Sequence, residues 1–218
     1  MGAVNDNFAD YVQQQIRQVD NAELLSFWKQ KLESVSALQL AGVKTSGEAL
    51  PIRRQLTLPD THWHEIRAYC RQNKITPTIY FRTLYGILIQ LICRADEDFM
   101  VLEFGAGRNK DHANTIGCYY QQWPFVFDID LFSAESSVEN LYESAKIFQK
   151  EAKEYKDFSV FRQLNMLPSE GAIFLFNVYN FVPQYFCLDT DVPVEPLPPD
   201  IADRINFVVD LRADGVLL

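Results

Sequence analysis

Ile173-Phe174-Leu175-Phe176-Asn177-Val178-Tyr179-Asn180-Phe181 is an apolar run broken only by two asparagines. Its β-branched and aromatic residues predict a strand over Ala172–Val182. An amide in a strand this apolar either pairs internally or faces a wet channel, and the sequence leaves both open. Tyr119-Tyr120-Gln121-Gln122-Trp123 is interrupted in the same way, by Gln121 and Gln122.

Working outward from that run, Gln184–Asp200 carries four prolines and little alternation, so it reads as an extended crossing loop. Ile205–Leu211 reads as a strand, Asp214-Gly215 as a hairpin turn, and Val216-Leu217-Leu218 as the start of a further strand. Upstream, Ser136-Ser137 caps a helix to about Tyr155, with Val138, Leu141, Ala145, Phe148 and Ala152 inward and Lys146, Lys150 and Lys153 solvated. Ile116–Ile129 is a long strand in which Pro124 marks an edge or bulge. Phe99–Phe104 is a strand that ends at Gly105-Ala106-Gly107.

Three helices are expected earlier. Asn21 caps one that runs to about Ser34, carrying Leu24, Leu25, Phe27, Trp28 and Leu32. Pro59-Asp60 opens one over Thr61–Asn73, with Trp63, Ile66 and Cys70 inward. Thr76-Pro77 opens one over Thr78–Arg94, expected to bury Ile79, Leu84, Ile87, Leu88, Leu91 and Ile92. Asn7–Val19 reads as helical or extended, and Pro51–Leu58 as a strand with one polar face. Helices and strands mix, with hairpin-like pairs late in the chain, which predicts an α+β layered sandwich.

With 48 % apolar and 22 % charged residues, the chain has the balance of a globular domain. The net charge of −9 disfavours nucleic acid, which needs a basic footprint. Residues 1–109 hold 12 acids and 12 Lys/Arg, so the acid excess lies in the second half and argues against an acidic partner docking there. Cys70, Cys93, Cys118 and Cys187 form no CxxC pair and read as buried free thiols in a reducing compartment. Met1–Asn7 is polar, Phe8–Gln18 lacks an apolar run, and Ile79–Cys93 is too short to span a bilayer and contains Arg82, Thr83 and Gln90. These features predict a soluble cytoplasmic protein with no membrane partner.

Few motifs carry chemistry. His62 and His64 stand two residues apart on a helix, so their rings diverge and cannot share a metal. His112 lies in a polar loop. There is no GxSxG elbow, and Gly105-Ala106-Gly107-Arg108-Asn109 lacks both the GxGxxG spacing and the Lys-Ser/Thr of a P-loop. Asp128/Asp130 and Asp189/Asp191 read as solvated strand ends, and no metal site is expected.

The order of short motifs resembles the C-terminal half of a nonribosomal peptide synthetase condensation domain, of the chloramphenicol acetyltransferase-like superfamily. Phe8-Ala9-Asp10-Tyr11 is similar to the family's Tyr-x-Asp-Tyr/Phe segment, and Phe27-Trp28…Leu32 to its Tyr-Trp…Leu helix. Leu58-Pro59 and Thr76-Pro77 match its next two helix starts, and Ala106-Gly107-Arg108 its Ala-Gly-Arg turn. Ile116-Gly117-Cys118-Tyr119-Tyr120-Gln121 resembles Ile-Gly-x-Phe-Val-Asn, Tyr155-Lys156-Asp157 resembles His/Asn-Gln-Asp, and Phe176–Phe181 resembles Phe-Asn-Tyr-Gln-Asn-Phe. Each motif is weak alone; their shared order over nearly the whole chain is the signal. The family's His-His-x-x-x-Asp-Gly signature does not occur here, Gln121 replaces an Asn, and Tyr155-Lys156 replaces His-Gln.

The resemblance implies that residues 1–218 are a C-terminal lobe without the N-terminal lobe and without the family's last strand and helix. It implies half of a site that joins an acyl donor to an aminoacyl acceptor through an amide bond, inactive alone and with no catalytic residue in this chain. The partners implied are peptidyl or acyl carrier protein domains and the N-terminal lobe. Phosphopantetheine would arrive on the carriers, with no cofactor bound directly. Tyr120, Gln121, Asn177 and Asn180 are the expected channel wall, Gly107 and Arg108 the cleft-floor turn, and 183–200 the crossover. Exposed apolar surface is expected where the second lobe packs. Two other readings stay open: a freestanding scaffold that docks carriers without chemistry, and a small cyclase-type enzyme.

Overall fold

Capping chemistry fixes where the helices begin. The Asn21 side chain accepts from the backbone N–H of Glu23 and Leu24 and opens α2 (Ala22–Leu32), after α1 (Phe8–Gln18). The Thr76 hydroxyl accepts from Ile79 N at 3.2 Å, Pro77 occupies the first turn, and α4 runs over Pro77–Cys93. Arg94 ends that helix in the left-handed region, at φ 53°. Between them lies α3 (Asp60–Gln72). At α5 (Val138–Ala152), Ser137 holds the capping position, but its hydroxyl meets Asn140 Oδ1 instead of a backbone N–H.

This computed structural model describes residues 8–40, 54, 56–106, 119–155, 171–179, 204–212 and 215–217. Its strands are β1 (Thr57–Leu58), β2 (Phe99–Ala106), β3 (Tyr120–Phe127), β4 (Ile173–Tyr179), β5 (Arg204–Arg212) and β6 (Gly215–Leu217). They form one mixed sheet in the order β1-β6-β5-β4-β2-β3. β2 and β3 are an antiparallel pair with Leu102 opposite Pro124. Since β3 is the edge, Pro124 costs no ladder bond on its outer side. β4 runs parallel to both β2 and β5, so β5–β6 is the one late hairpin among the described strands. Parallel neighbours need a crossover, and here it falls in residues 180–203, outside the described ones.

The pleat divides the sheet into two faces. One packs against helices. Phe99 and Val101 of β2, Phe125 and Phe127 of β3, Phe174 and Phe176 of β4 and Val209 of β5 share a core with Trp28, Tyr85, Tyr142 and Phe148. Tyr85 of α4 stacks on Phe176 and Phe207 with centroids 6.0 and 4.9 Å away, and Phe148 of α5 lies 4.7 Å from Phe125. Each such side chain contributes about 1.5–3 kcal/mol through burial.

α4 corrects one expectation. It buries Ile79, Phe81, Arg82, Thr83, Tyr85, Gly86 and Ile89, and it exposes Leu84, Leu88, Leu91 and Ile92. The helix is apolar around most of its circumference, so periodicity alone cannot choose the inner arc. The flat rings of Phe81 and Tyr85 match the aromatic sheet, and Gly86 lets Phe127 approach the helix closely. Asp128 and Asp130 lie exposed just past the end of β3, as expected. The Asp128 side chain accepts from Asp130 N at 3.0 Å and caps a short 3-10 turn, Ile129–Phe132, which ends the strand at Phe127. The expected strand Pro51–Leu58 is described as strand only at Thr57–Leu58.

Among the described residues, no single helix is long and apolar enough to cross a membrane. Cys70 and Cys93 are free thiols, and burial pushes both up in pKa. Cys118, Cys187, His112 and Asp189/Asp191 lie outside the described residues.

Candidate functional site

The sheet face away from the helices carries the candidate wall. Pro124, Leu102 and Leu175 face one another across β3, β2 and β4, and all three are buried. Two residues along each strand lie Gln122, Phe104 and Asn177, and Val208 of β5 pairs with Asn177. Gln122 is buried, while Phe104, Asn177 and Val208 are half-buried. The Asn177 amide makes no hydrogen bond to another described side chain or backbone group. This face therefore has an apolar centre with amides at one end.

Alternation places Gln121 on the other side. It pairs with Gly105, shares a face with Trp123 and Phe125, and is buried beneath the helices. The structure therefore joins Gln122, not Gln121, to Asn177. Tyr120 is described only as the first residue of β3, opposite Ala106. Asn180, Gly107, Arg108 and the crossover at 183–200 lie outside the described residues.

Behind the wall sits a group that periodicity did not single out. Arg82 of α4 and Glu103 of β2 form a buried ion pair, with side chains 1 % and 8 % exposed. The Trp123 indole N–H donates to Glu103 Oε2 at 3.1 Å, and the Arg82 guanidinium lies 4.2 Å from the Phe125 ring centroid. Burial pushes the Glu103 carboxyl above the usual carboxylate range, and Arg82 and the Trp123 N–H pull it back. The pair locks α4 onto the β2–β3 hairpin that carries Phe104 and Gln122.

Three contacts tie together stretches that lie far apart in sequence. Tyr11 of α1 packs on Tyr119 at 4.7 Å. The Trp28 indole N–H donates to the Tyr155 carbonyl at 3.0 Å, and Phe27 stacks on the Tyr155 ring at 4.0 Å. His62 and His64 are exposed on α3, and among the described residues no group of three His, Cys, Asp or Glu side chains could hold a metal.

Solved structures share this fold. The first condensation domain of the calcium-dependent antibiotic synthetase, in complex with a substrate analogue, superposes with a TM-score of 0.70 over 94 % of this chain at 14 % identity. The chain has the condensation-domain fold. SgcC5 from Streptomyces globisporus matches at a TM-score of 0.70 over 96 % of the chain, at 15 % identity, and the X-domain from teicoplanin biosynthesis at 0.69 over 95 %, at 13 %. The chain covers 46 %, 52 % and 51 % of these three, so its condensation-domain fold spans about half of each. No protein-family model matches the sequence, and no curated protein does.

Proposed function

We propose that this chain is one wall of a condensation-type acyl-transfer site, working with a second lobe that it does not itself contain. The observation that carries the reading is the amide-edged face through Gln122, Phe104 and Asn177 on a fold otherwise seen as half of condensation domains. The substrates are an acyl thioester and an aminoacyl thioester, each on the phosphopantetheine arm of a peptidyl or acyl carrier domain. The amine attacks the donor carbonyl, a C–N bond forms, the C–S bond breaks, and the carrier thiol leaves with a proton. A base on the second lobe relays that one proton from the attacking nitrogen to the departing sulfur.

Thioester aminolysis is downhill, so the task of this wall is positioning, which supplies up to about 7–11 kcal/mol in well-oriented reactions. Asn177 and Gln122 hydrogen-bond the pantetheine or acyl amides, while Leu102, Pro124 and Leu175 exclude water beneath them. The chain is inactive alone and acts in the cytoplasm. The test is a condensation assay with the second lobe present. Asn177→Ala combined with Gln122→Ala lowers kcat/KM about tenfold while the urea midpoint moves little. Unchanged kinetics in that double variant overturn the assignment of the wall.

A further inference from the structure

Every exposed residue of α4 is a leucine or an isoleucine: Leu84, Leu88, Leu91 and Ile92 are 40 %, 48 %, 66 % and 47 % exposed. The one charged residue of this helix, Arg82, is buried against Glu103. The four stand on successive turns of one face, with the half-buried Ile87 beside them. Together they offer an uncharged patch of about 400 Å², a size at which apolar patches on soluble proteins are often functional.

The second lobe of the function proposed above leaves this patch uncovered. α4 turns its other side, through Tyr85 and Ile89, onto one face of the sheet. The wall of Gln122, Phe104 and Asn177 lies on the opposite face. A lobe that closes over the wall is therefore separated from the patch by the sheet and by α4 itself, a helix about 10–12 Å across.

We infer that this patch is a docking surface for a second copy of the chain, with the two α4 helices antiparallel about a two-fold axis beside Leu88. The spacing is self-complementary. Leu84 and Ile92 lie four residues to either side of Leu88, so the axis brings Leu84 of one copy to Ile92 of the other. Charge selects the antiparallel arrangement. Asp96 and Glu97 are exposed just past the C-terminal end of α4, and parallel helices would bring these acids of both copies together with their dipoles side by side. Two patches face to face bury about 800 Å² before flanking residues are counted, close to the roughly 1,000 Å² that a specific interface needs. That area fits a weak dimer that forms as concentration rises. No exposed charge on α4 opposes it, although each chain carries −9.

The test is sedimentation equilibrium of the full chain from about 1 μM to about 1 mM, at low and moderate salt. Four proteins are compared: the wild type, Leu84→Glu/Ile92→Glu, Leu84→Lys/Ile92→Glu, and a control, Ile16→Glu, at an exposed position of α1. Circular dichroism checks that each is folded. The wild type and the control pass from monomer to dimer, and added salt does not weaken the dimer. Leu84→Glu/Ile92→Glu weakens association about tenfold or more, because carboxylates then face carboxylates. Leu84→Lys/Ile92→Glu associates at least about threefold more tightly than that, because each lysine meets the glutamate of the other copy. A wild type that stays monomeric, or equal association in all four, overturns the docking surface and leaves the proposed function standing. Equal weakening in the two α4 double variants overturns the antiparallel pairing. An added N-terminal condensation-domain lobe joins the dimer as a two-to-two complex; a one-to-one complex assigns the patch to that lobe and overturns the second copy.

Discussion

Arg82 and Glu103, on different elements and 21 positions apart, meet as an ion pair sealed between α4 and the β2–β3 hairpin. Taking two charges out of water is costly, so their value lies in fixing one arrangement and not in raw stability. Removing one partner leaves the other buried and uncompensated. Glu103→Met is expected to destabilise the chain by about 3–5 kcal/mol, whereas Arg82→Met/Glu103→Met recovers most of that loss. Urea unfolding of both singles and the double measures the coupling. A double variant as unstable as the sum of its singles contradicts this account.

Gly86 gives a second prediction. A methyl group there runs into the Phe127 ring. Helix propensity alone favours Gly86→Ala by about 1 kcal/mol, but overpacking costs about 1–3 kcal/mol. Net destabilisation is expected in Gly86→Ala, with partial rescue by Phe127→Leu. Stabilisation by Gly86→Ala would show that Phe127 does not press on α4.

The alkaline limb of stability follows from buried hydroxyls and thiols. Burial pushes the Tyr85 hydroxyl and the Cys70 thiol up, so the folded chain keeps protons that the unfolded chain loses at its ordinary values. Those values are about 10 for Tyr and 8.5 for Cys. Above them the unfolded state is stabilised by ionising, and folding stability falls, by at most about 1.4 kcal/mol per pH unit for each group. Urea midpoints are therefore flat to about pH 8 and decline through pH 11, and Tyr85→Phe shallows the decline. A midpoint that holds steady to pH 11 speaks against the buried Tyr85.

Local chemistry was legible in the sequence. Asn21 and Thr76 cap as their side chains allow and Pro124 sits on an edge strand, whereas the expected Asp214-Gly215 turn is displaced, since Gly215 already lies in β6 and pairs with Arg212. What depends on register or on distant packing was not. Gln121 and Gln122 are adjacent amides, and only the pairing of Phe104 with Gln122 decides which one shares a face with Asn177. In α4 the leucines at 84, 88 and 91 form as good a stripe as the buried residues, and the sheet's rings settle the matter. Arg82 reads in sequence only as a charge that forbids a membrane span; its partner becomes visible once α4 lies over β2. The prolines of Gln184–Asp200 read as an extended crossing loop, but the parallel pairing of β4 with β5 has no local signature, because no tight turn links parallel neighbours.

The most direct test of the central claim is the condensed product itself. The chain is incubated with an acyl-loaded donor carrier and an aminoacyl-loaded acceptor carrier, alone and with a separately expressed N-terminal condensation-domain lobe bearing His-His-x-x-x-Asp-Gly. Mass spectrometry of the acceptor carrier reads the amide. The account predicts product with both lobes and background with this chain alone; product at the same rate from this chain alone would contradict it.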